Sequence, residues 1–407
     1  MRGTQAFAVA KKQGFVNSKM AVTATPPTIA AAQQATPRRR GGFYRPELDA
    51  LRFFAFLGVF LFHFSHPVDF YVQHGIPRWV ASTVNGFTQG GVFGVDLFFV
   101  LSAYLITELL FREKDEYGSL DVKSFYLRRI LRIWPLYFFY IGLALIPAFN
   151  PNHVFTWKFA LAYIFLAGNW SVVAWGWPLH SIIGPLWTVS IEEQFYLFWP
   201  PVVRKISRNG LVLTAVLMLV VSNVTRVAMI LIHGGQNSVW CNTFARLDPI
   251  VAGILVAAAL HGEMPVIRRP VRIAVLITGV CALALVANYW QIHEPETLKW
   301  IPTLLGFPVV AISCTLILFS VLGISSKPPR ALVYLGKISY GLYVYHALGN
   351  VLSNMLIPIH NAFLQLALRP IAALVITIVL AAVSYAVLES PFLKLKNRMA
   401  RVQSRPV

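Results

Sequence analysis

An arginine and a histidine lie eleven positions apart in the apolar stretch LDALRFFAFLGVFLFHF, residues 48–64. On an α-helix, which rises about 1.5 Å per residue, Arg52 and His63 would be about 16 Å apart along the axis. A histidine can remove a proton from a hydroxyl group, and an arginine can hold phosphate. Two simpler explanations stay open: His63 could be hydrogen-bonded within a helix bundle, and Arg52 could reach back to a membrane surface.

Three arginines occur together in FYLRRILRIWPLY, residues 125–137. Arg128 and Arg132 are four positions apart, so on a helix both guanidinium groups project to one side. The planar fork of a guanidinium suits two-point binding of phosphate. The cluster therefore predicts a phosphate site formed by Arg128, Arg129 and Arg132, with anchoring to lipid headgroups as the alternative.

Two adjacent acids occur in GPLWTVSIEEQFYLFWP, residues 184–200. Adjacent positions cannot share one helix face, so Glu192 or Glu193 should point into the bundle, where a carboxylate could orient a histidine. Further candidates, for substrate binding, are Asp96, Ser102, Trp187, Arg246 and His346. Ser102 and His346 could instead serve packing. Arg246 could simply neutralise Asp248.

The elements that position these residues must be membrane helices. Of the 407 residues, 57% are hydrophobic and 13% charged, and the mean hydropathy is +0.63. These values are typical of a polytopic membrane protein, in which each helix needs roughly 20 apolar residues to cross the bilayer. The apolar residues form continuous runs rather than a two-residue alternation, which predicts helices instead of a barrel. Ten such runs are present, at 53–73, 91–111, 133–149, 187–203, 211–232, 244–260, 273–290, 300–323, 338–357 and 368–388.

The net charge of +19 is explained by membrane topology. Lysines and arginines are scattered between the apolar runs rather than gathered in one patch, so a nucleic-acid partner is not predicted. Cys241, Cys281 and Cys314 are far apart in the sequence, so neither a redox motif nor a metal site is expected.

The distribution of these charges predicts the orientation of the chain. If the N terminus is cytoplasmic, 29 of the 35 lysines and arginines fall on the cytoplasmic side, and both termini are then cytoplasmic. Residues 1–42 and 394–407 are predicted to be basic cytoplasmic tails that flank one transmembrane domain, residues 43–393. The segment 159–180 looks like an eleventh span, but a full crossing would break the charge pattern. A re-entrant or interfacial element is therefore predicted there.

Taken in order, these segments resemble the acyltransferase-3 family of integral-membrane O-acyltransferases. The resemblance extends from about residue 45 to 392 and rests on several motifs read together. They are LDALR with ten further residues before His63, GVDLFFVLSAYLI, YLRRILRIWPLY, LWTVSIEEQFYLFWP, ARLDPIVAGIL, GKISYGLYVYH and SYAVLESP. One departure is Ala103, which stands where the family usually has glycine after the serine.

The resemblance implies a ten-helix core in the bacterial cytoplasmic membrane. It implies transfer of an acyl group from cytoplasmic acyl-CoA, commonly acetyl-CoA, to a hydroxyl of a carbohydrate or glycolipid acceptor on the outer side, without a metal. His63 would be the general base or a covalent relay, and Glu192 would orient it or line the acceptor path. The CoA phosphates would be held by Arg52, Arg128, Arg129 and Arg132.

A second class of protein also fits the residues themselves. Buried histidine, arginine and acidic groups form proton relays in secondary transporters and exporters. The absence of repeat symmetry and the gathering of arginines at one mouth favour a phosphate-bearing cytosolic donor instead.

Overall fold

The fold was analysed in a computed structural model that describes residues 44–149, 155–178, 181–294, 297–356 and 362–398. Within these ranges the chain forms helices and no strand. The helices are α1 (Pro46–His63), α2 (Val68–Gln73), α3 (Arg78–Gly90), α4 (Gly94–Tyr117), α5 (Val122–Ala144), α6 (Trp157–Ile164), α7 (Gly168–Trp175), α8 (Leu186–Lys205), α9 (Arg208–Leu231), α10 (Asn237–Trp240), α11 (Asp248–Leu260), α12 (Arg269–Leu285), α13 (Trp300–Val321), α14 (Arg330–Lys337), α15 (Ser339–Leu356), α16 (Ala362–Ser384) and α17 (Ser390–Arg398).

Each of the ten apolar runs contains a helix, and the all-helical fold class is confirmed for the described residues. Five continuous helices are long and apolar enough to cross a membrane: Arg78–Tyr117, Gly210–Leu231, Arg269–Trp290, Trp300–Val321 and Leu368–Lys396. α11 is apolar but shorter. The protein is therefore a multi-pass membrane helical bundle. The count of ten crossings and the orientation of the termini stay predictions.

The first helix begins earlier and ends earlier than the run 53–73 predicted. It starts at Pro46, where a proline is tolerated because the first helical N–H has no partner to lose. It ends at His63, just before Ser65, His66 and Pro67, since a residue that precedes proline avoids helical geometry. His63 is therefore the last residue of α1 rather than a residue in the middle of a longer helix. The helix is unbroken from Arg52 to His63, so their axial separation of about 16 Å holds.

Close helix packing places α1 at the centre of the site. α1 contacts α4, α14 and α15. A side chain at Gly94 of α4 would have its Cβ 2.2 Å from the carbonyl oxygen of Ala55 in α1, so glycine is what allows this approach. We call the end of the bundle at which α1 begins the basic end, and the opposite end the far end.

The segment predicted to be re-entrant or interfacial forms two short helices. α6 and α7 have eight residues each, which gives each a length of about 12 Å, too short to cross the bilayer. They are separated by a break at which Leu166 has a φ of 57°, and they pack on α5 and α8. Residues 179 and 180 of the segment lie outside the described residues. The location of the segment relative to the membrane stays a prediction.

The two predicted tails are largely outside the described residues as well. Residues 1–42 and 399–407 belong to the parts that the structure does not describe. α17 continues to Arg398, so the first residues of the predicted C-terminal tail are helical.

Candidate functional site

A pocket lies between α1, α4, α5, α8 and α15 and begins at the basic end. Its enclosed part is small, about 130 Å³, so it suits the end of a chain-like ligand rather than a whole nucleotide. Basic side chains line it near the start of α1, and hydroxyl and aromatic groups line it further in. The polar side chains that line it include Arg45, Arg52, Ser102, Arg129, Arg132, Thr188, Glu192, Tyr196 and Tyr343.

Three of the four arginines predicted to bind phosphate line this pocket. Arg52 makes an ion pair of 3.0 Å with Asp49, one turn earlier on α1. The guanidinium of Arg129 lies over the ring of Tyr196, with 5.4 Å from its carbon to the ring centroid. Arg132 lines the same wall of α5, three positions further on. A phosphate group at this mouth would meet several positive charges at once.

The fourth arginine, Arg128, is placed differently. Its Nη2 lies 3.2 Å from Oε2 of Glu113 on α4, and Arg128 is not among the residues that line the pocket. The face of α5 that looks into the pocket therefore carries Arg129 and Arg132, not the pair Arg128 and Arg132 that a four-residue spacing predicted.

The two adjacent acids of α8 separate as predicted. Glu192 lines the pocket, is hydrogen-bonded to Tyr196 and Ser102, and interacts electrostatically with Arg52. Glu193 instead accepts a hydrogen bond of 3.2 Å from the indole nitrogen of Trp134. Glu192 therefore faces the pocket, as predicted for one of the two acids, and its role in orienting His63 stays a prediction.

Two histidines meet at the far end of α1. The rings of His63 and His346 are stacked, with their centroids 5.1 Å apart and their planes at 27°. His346 is buried, whereas His63 is exposed. Nδ1 of His346 lies 2.5 Å from the backbone carbonyl oxygen of Tyr343. A carbonyl oxygen can only accept, so neutral His346 carries its proton on Nδ1 and keeps Nε2 as an acceptor.

Tyr343 connects this histidine pair to the pocket. Its side chain lines the pocket, and its ring lies 5.6 Å from the ring of His346. Its hydroxyl is 3.0 Å from the Thr188 hydroxyl, and Phe98 packs on its other side. Tyr343 therefore contacts both the arginine-lined pocket and His346, which stacks on His63.

Three of the candidates for substrate binding lie away from the pocket. Arg246 and Asp96 form a buried ion pair of 2.8 Å. Arg246 also lies over the ring of Trp240, at 4.1 Å, and Trp187 packs against the same Trp240. The interpretation that Arg246 neutralises Asp248 is wrong, because Asp248 is paired with Arg226. None of Asp96, Trp187 and Arg246 lines the pocket.

Sequence reasoning missed Thr188, Tyr196 and Tyr343. Thr188, Glu192 and Tyr196 are four positions apart on one helix, so they share a face, and this spacing could have identified them. Tyr343 lies three positions before His346 on α15, which is the same kind of signal. Ser102 was predicted, and it lines the pocket with its hydroxyl bonded to Tyr196.

The chain matches a family model and several named relatives. The model of the acyltransferase domain matches residues 45–388. The Staphylococcus aureus (strain MSSA476) protein named "Putative O-acetyltransferase SAS0844" is 29% identical over 387 residues, which cover 86% of this chain and 58% of the relative. "O-acetyltransferase OatA" of Staphylococcus aureus (strain NCTC 8325 / PS 47) is 28% identical over 380 residues, with 86% and 57% covered.

The chain thus spans a little under three fifths of the length of the curated relatives it matches. No solved structure matches it. The family model, however, covers most of the described bundle, including both histidines and all the arginines of the pocket. The chain therefore belongs to the family of membrane acyltransferases that this domain defines.

Proposed function

We propose that this protein is an O-acyltransferase that moves an acyl group, commonly acetyl, from acyl-CoA to a hydroxyl of a carbohydrate or glycoconjugate. The observation that carries the proposal is the arrangement along one helix of an arginine-lined mouth and a histidine about 16 Å beyond it. Acyl-CoA has a matching arrangement of groups, because a long pantetheine arm separates its phosphates at one end from its thioester at the other. Arg52, Arg129 and Arg132 would hold the phosphates while the thioester approaches the histidine pair.

In the proposed reaction His63 acts as the general base. It takes the proton of the acceptor hydroxyl while the hydroxyl oxygen attacks the carbonyl carbon of the thioester. The carbon–sulfur bond breaks, and the leaving thiolate receives the proton, so the products are the ester and free CoA. His346 would fix the orientation of His63 through the stacked contact of 5.1 Å. A covalent route, in which His63 itself carries the acyl group briefly, is the alternative for this step.

The direction of transfer rests on the charge distribution. The basic end would face the cytoplasm, where acyl-CoA is found, because most lysines and arginines of the chain are assigned to that side. The far end would face outward, toward cell-surface acceptors. The names of the relatives support acetyl as the acyl group. We accordingly propose the bacterial cytoplasmic membrane as the location.

The test uses the purified protein in lipid nanodiscs with radiolabelled acetyl-CoA. We expect His63→Ala to abolish transfer of label to glycan while CoA still binds, because the phosphate contacts are at the other end of the helix. His74→Ala is the matched control, since its Nδ1 is bonded to the local carbonyl of Phe70, and it should transfer label normally. Transfer at the normal rate by His63→Ala would refute the proposed role.

A separate measurement distinguishes the enzyme from a transporter. We expect CoA to raise the unfolding temperature of the wild-type protein in nanodiscs. If CoA gave no stabilisation while the protein carried a solute across liposomes, the acyltransferase proposal would be contradicted and a transporter supported. Mass spectrometry of surface glycans, from cells with and without the protein, would then identify the acceptor by an acyl-sized mass difference.

A further inference from the structure

A second, larger cavity lies at the far end of the bundle, where the end of α3, the end of α12 and the start of α13 meet. Its volume is about 540 Å³, which is within the usual range of small-molecule sites, roughly 300–1,000 Å³. Its lining includes four side-chain amides and two nitrogen-bearing aromatic rings: Asn85, Gln89, Gln236, Asn288, Trp290 and His293.

Two residues that line this far-end cavity contact the chain close to His63. Nε2 of Gln89 donates a hydrogen bond of 3.1 Å to the hydroxyl of Ser65, two positions after His63. The ring of His293 packs edge-on against Phe62, with the centroids 5.6 Å apart, and Phe62 directly precedes His63. Two residues of the cavity wall therefore contact the chain within two positions of His63, at the end of α1.

Two polar side chains of the lining have unused hydrogen-bonding capacity. Nε2 of His293 is 3.1 Å from Oε1 of Gln89, and an amide oxygen can only accept, so His293 carries its proton on Nε2. Its Nδ1 is then an acceptor, and this buried atom has no hydrogen-bond partner among the described residues. Oδ1 of Asn85 is likewise buried without a partner there. Unpaired buried polar atoms are costly and call for an explanation, and a bound ligand is one.

The chemistry of this lining differs from that of the pocket. No arginine is among the lining residues, and the charged residues Glu294 and Lys299 at the exposed rim have opposite signs. Amides both donate and accept hydrogen bonds, which matches hydroxyl groups rather than phosphates. Trp290 adds an apolar face with one donor. A neutral, hydroxyl-rich molecule fits this lining, whereas a nucleotide does not.

We propose that the far-end cavity is the acceptor site and that it takes a neutral, hydroxyl-rich unit such as one sugar residue of a glycan. This inference rests on the proposed acyltransferase function, since it names the site from which the attacking hydroxyl reaches His63. Donor and acceptor would then enter from opposite ends of the bundle and meet at the end of α1. Asn85 and His293 would be specificity-determining residues.

The first test measures steady-state transfer from acetyl-CoA to envelope glycan extracted from cells that lack the protein. Asn85→Ala removes an amide with an unpaired oxygen, and His293→Phe keeps a ring against Phe62 while removing both nitrogens. Each variant should raise KM for the glycan about two- to tenfold, as expected for the loss of one or two neutral hydrogen bonds. KM for acetyl-CoA should not change. Thr83→Val, an exposed position of α3 outside the lining, is the matched control.

The second test reports binding without turnover. In a Cys281→Ser background, which removes the exposed native cysteine, Asn85→Cys and Thr83→Cys are labelled with a maleimide in nanodiscs. Oligosaccharides cut from the same glycan should slow labelling at position 85 and not at position 83, and acetyl-CoA should slow neither.

The outcomes separate the two proposals. A wild-type protein that transfers no acyl group to any glycan would contradict the proposed function itself. Normal transfer by the wild type, with unchanged glycan KM in both variants and no protection at position 85, would overturn only the acceptor site.

Discussion

The helical motif RRILR contains three arginines of equal charge, and the structure places them in different surroundings. Arg129 and Arg132 line the pocket, whereas Arg128 is paired with Glu113 at 3.2 Å. We therefore expect Arg129→Gln and Arg132→Gln to weaken CoA binding and Arg128→Gln to leave it nearly unchanged. Each substitution removes one positive charge within about one turn of the same helix, so long-range electrostatic effects are matched.

The magnitude follows from the surroundings of these side chains. A hydrogen bond to a charged group contributes about 1.5–3 kcal/mol, and an exposed ion pair about 0.2–1 kcal/mol. Arg129 and Arg132 are partly buried, so a loss of about 1.5 kcal/mol each is expected. This loss corresponds to roughly a tenfold increase in Kd for CoA, and to about a hundredfold increase for both substitutions if they are additive.

The assay is calorimetric titration of CoA into the protein in nanodiscs of uncharged lipid, repeated with pantetheine, which has no phosphate. We expect the affinity for pantetheine to be the same in all three variants, because only phosphate contacts are removed. Added salt should weaken CoA binding more in the wild type than in Arg129→Gln or Arg132→Gln. Equal losses at positions 128, 129 and 132, or an equal loss of pantetheine affinity, would refute the assignment.

Two further predictions concern the bundle. Gly336→Ala should destabilise the protein by about 1–3 kcal/mol, because the new Cβ would lie 1.7 Å from the carbonyl oxygen of Asp49. Gly142→Ala is the control: its new Cβ would have no neighbouring atom within 4 Å among the described residues, so the unfolding temperature should not fall. Asp96→Asn should lower the free energy of unfolding by about 3–5 kcal/mol, because it leaves Arg246 charged, buried and without its ion-pair partner. Adding Arg246→Met to this variant should recover part of the lost unfolding temperature. No recovery would show that the two residues are not coupled.

The sequence predicted the helices because their signal is local. Continuous apolar runs of the right length predict spanning helices, and each run contains a helix in the structure. The end of α1 is less well predicted. Apolar residues continue past His63, so the composition predicts a longer helix, but Pro67 restricts the backbone and the helix ends before it.

The ion-pair partners of the buried charged residues could not be predicted from the sequence. Asp96 and Arg246 are 150 positions apart, and only the packing of α4 against the start of α11 brings them together. The local alternative, Arg246 with Asp248, is wrong because Arg226 of α9 lies closer to that carboxylate. Pairing across a bundle depends on which helix faces meet, and a single sequence does not encode that in any local pattern.

The arginines of α5 also show that a local sequence pattern does not identify the partner of a charged residue. Residues three and four positions apart both lie on neighbouring parts of a helix surface, so the spacing alone does not decide whether Arg132 faces the pocket together with Arg128 or with Arg129. Glu113 occupies the face that contains Arg128, so the pocket uses the neighbouring pair. Partner charges on other helices thus decide which arginines remain available for a ligand.

The wall between the pocket and the histidines has a mechanistic consequence for the proposed reaction. Tyr343, Thr188 and Phe98 form the part of the pocket wall next to His346, so in the proposed reaction this wall would separate a thioester held in the pocket from the histidines. Shielding of this kind limits hydrolysis of a reactive group and strengthens the electrostatic interactions around it. In the proposed reaction the thioester would have to pass this part of the wall to reach His63, while the phosphates stay at the arginines.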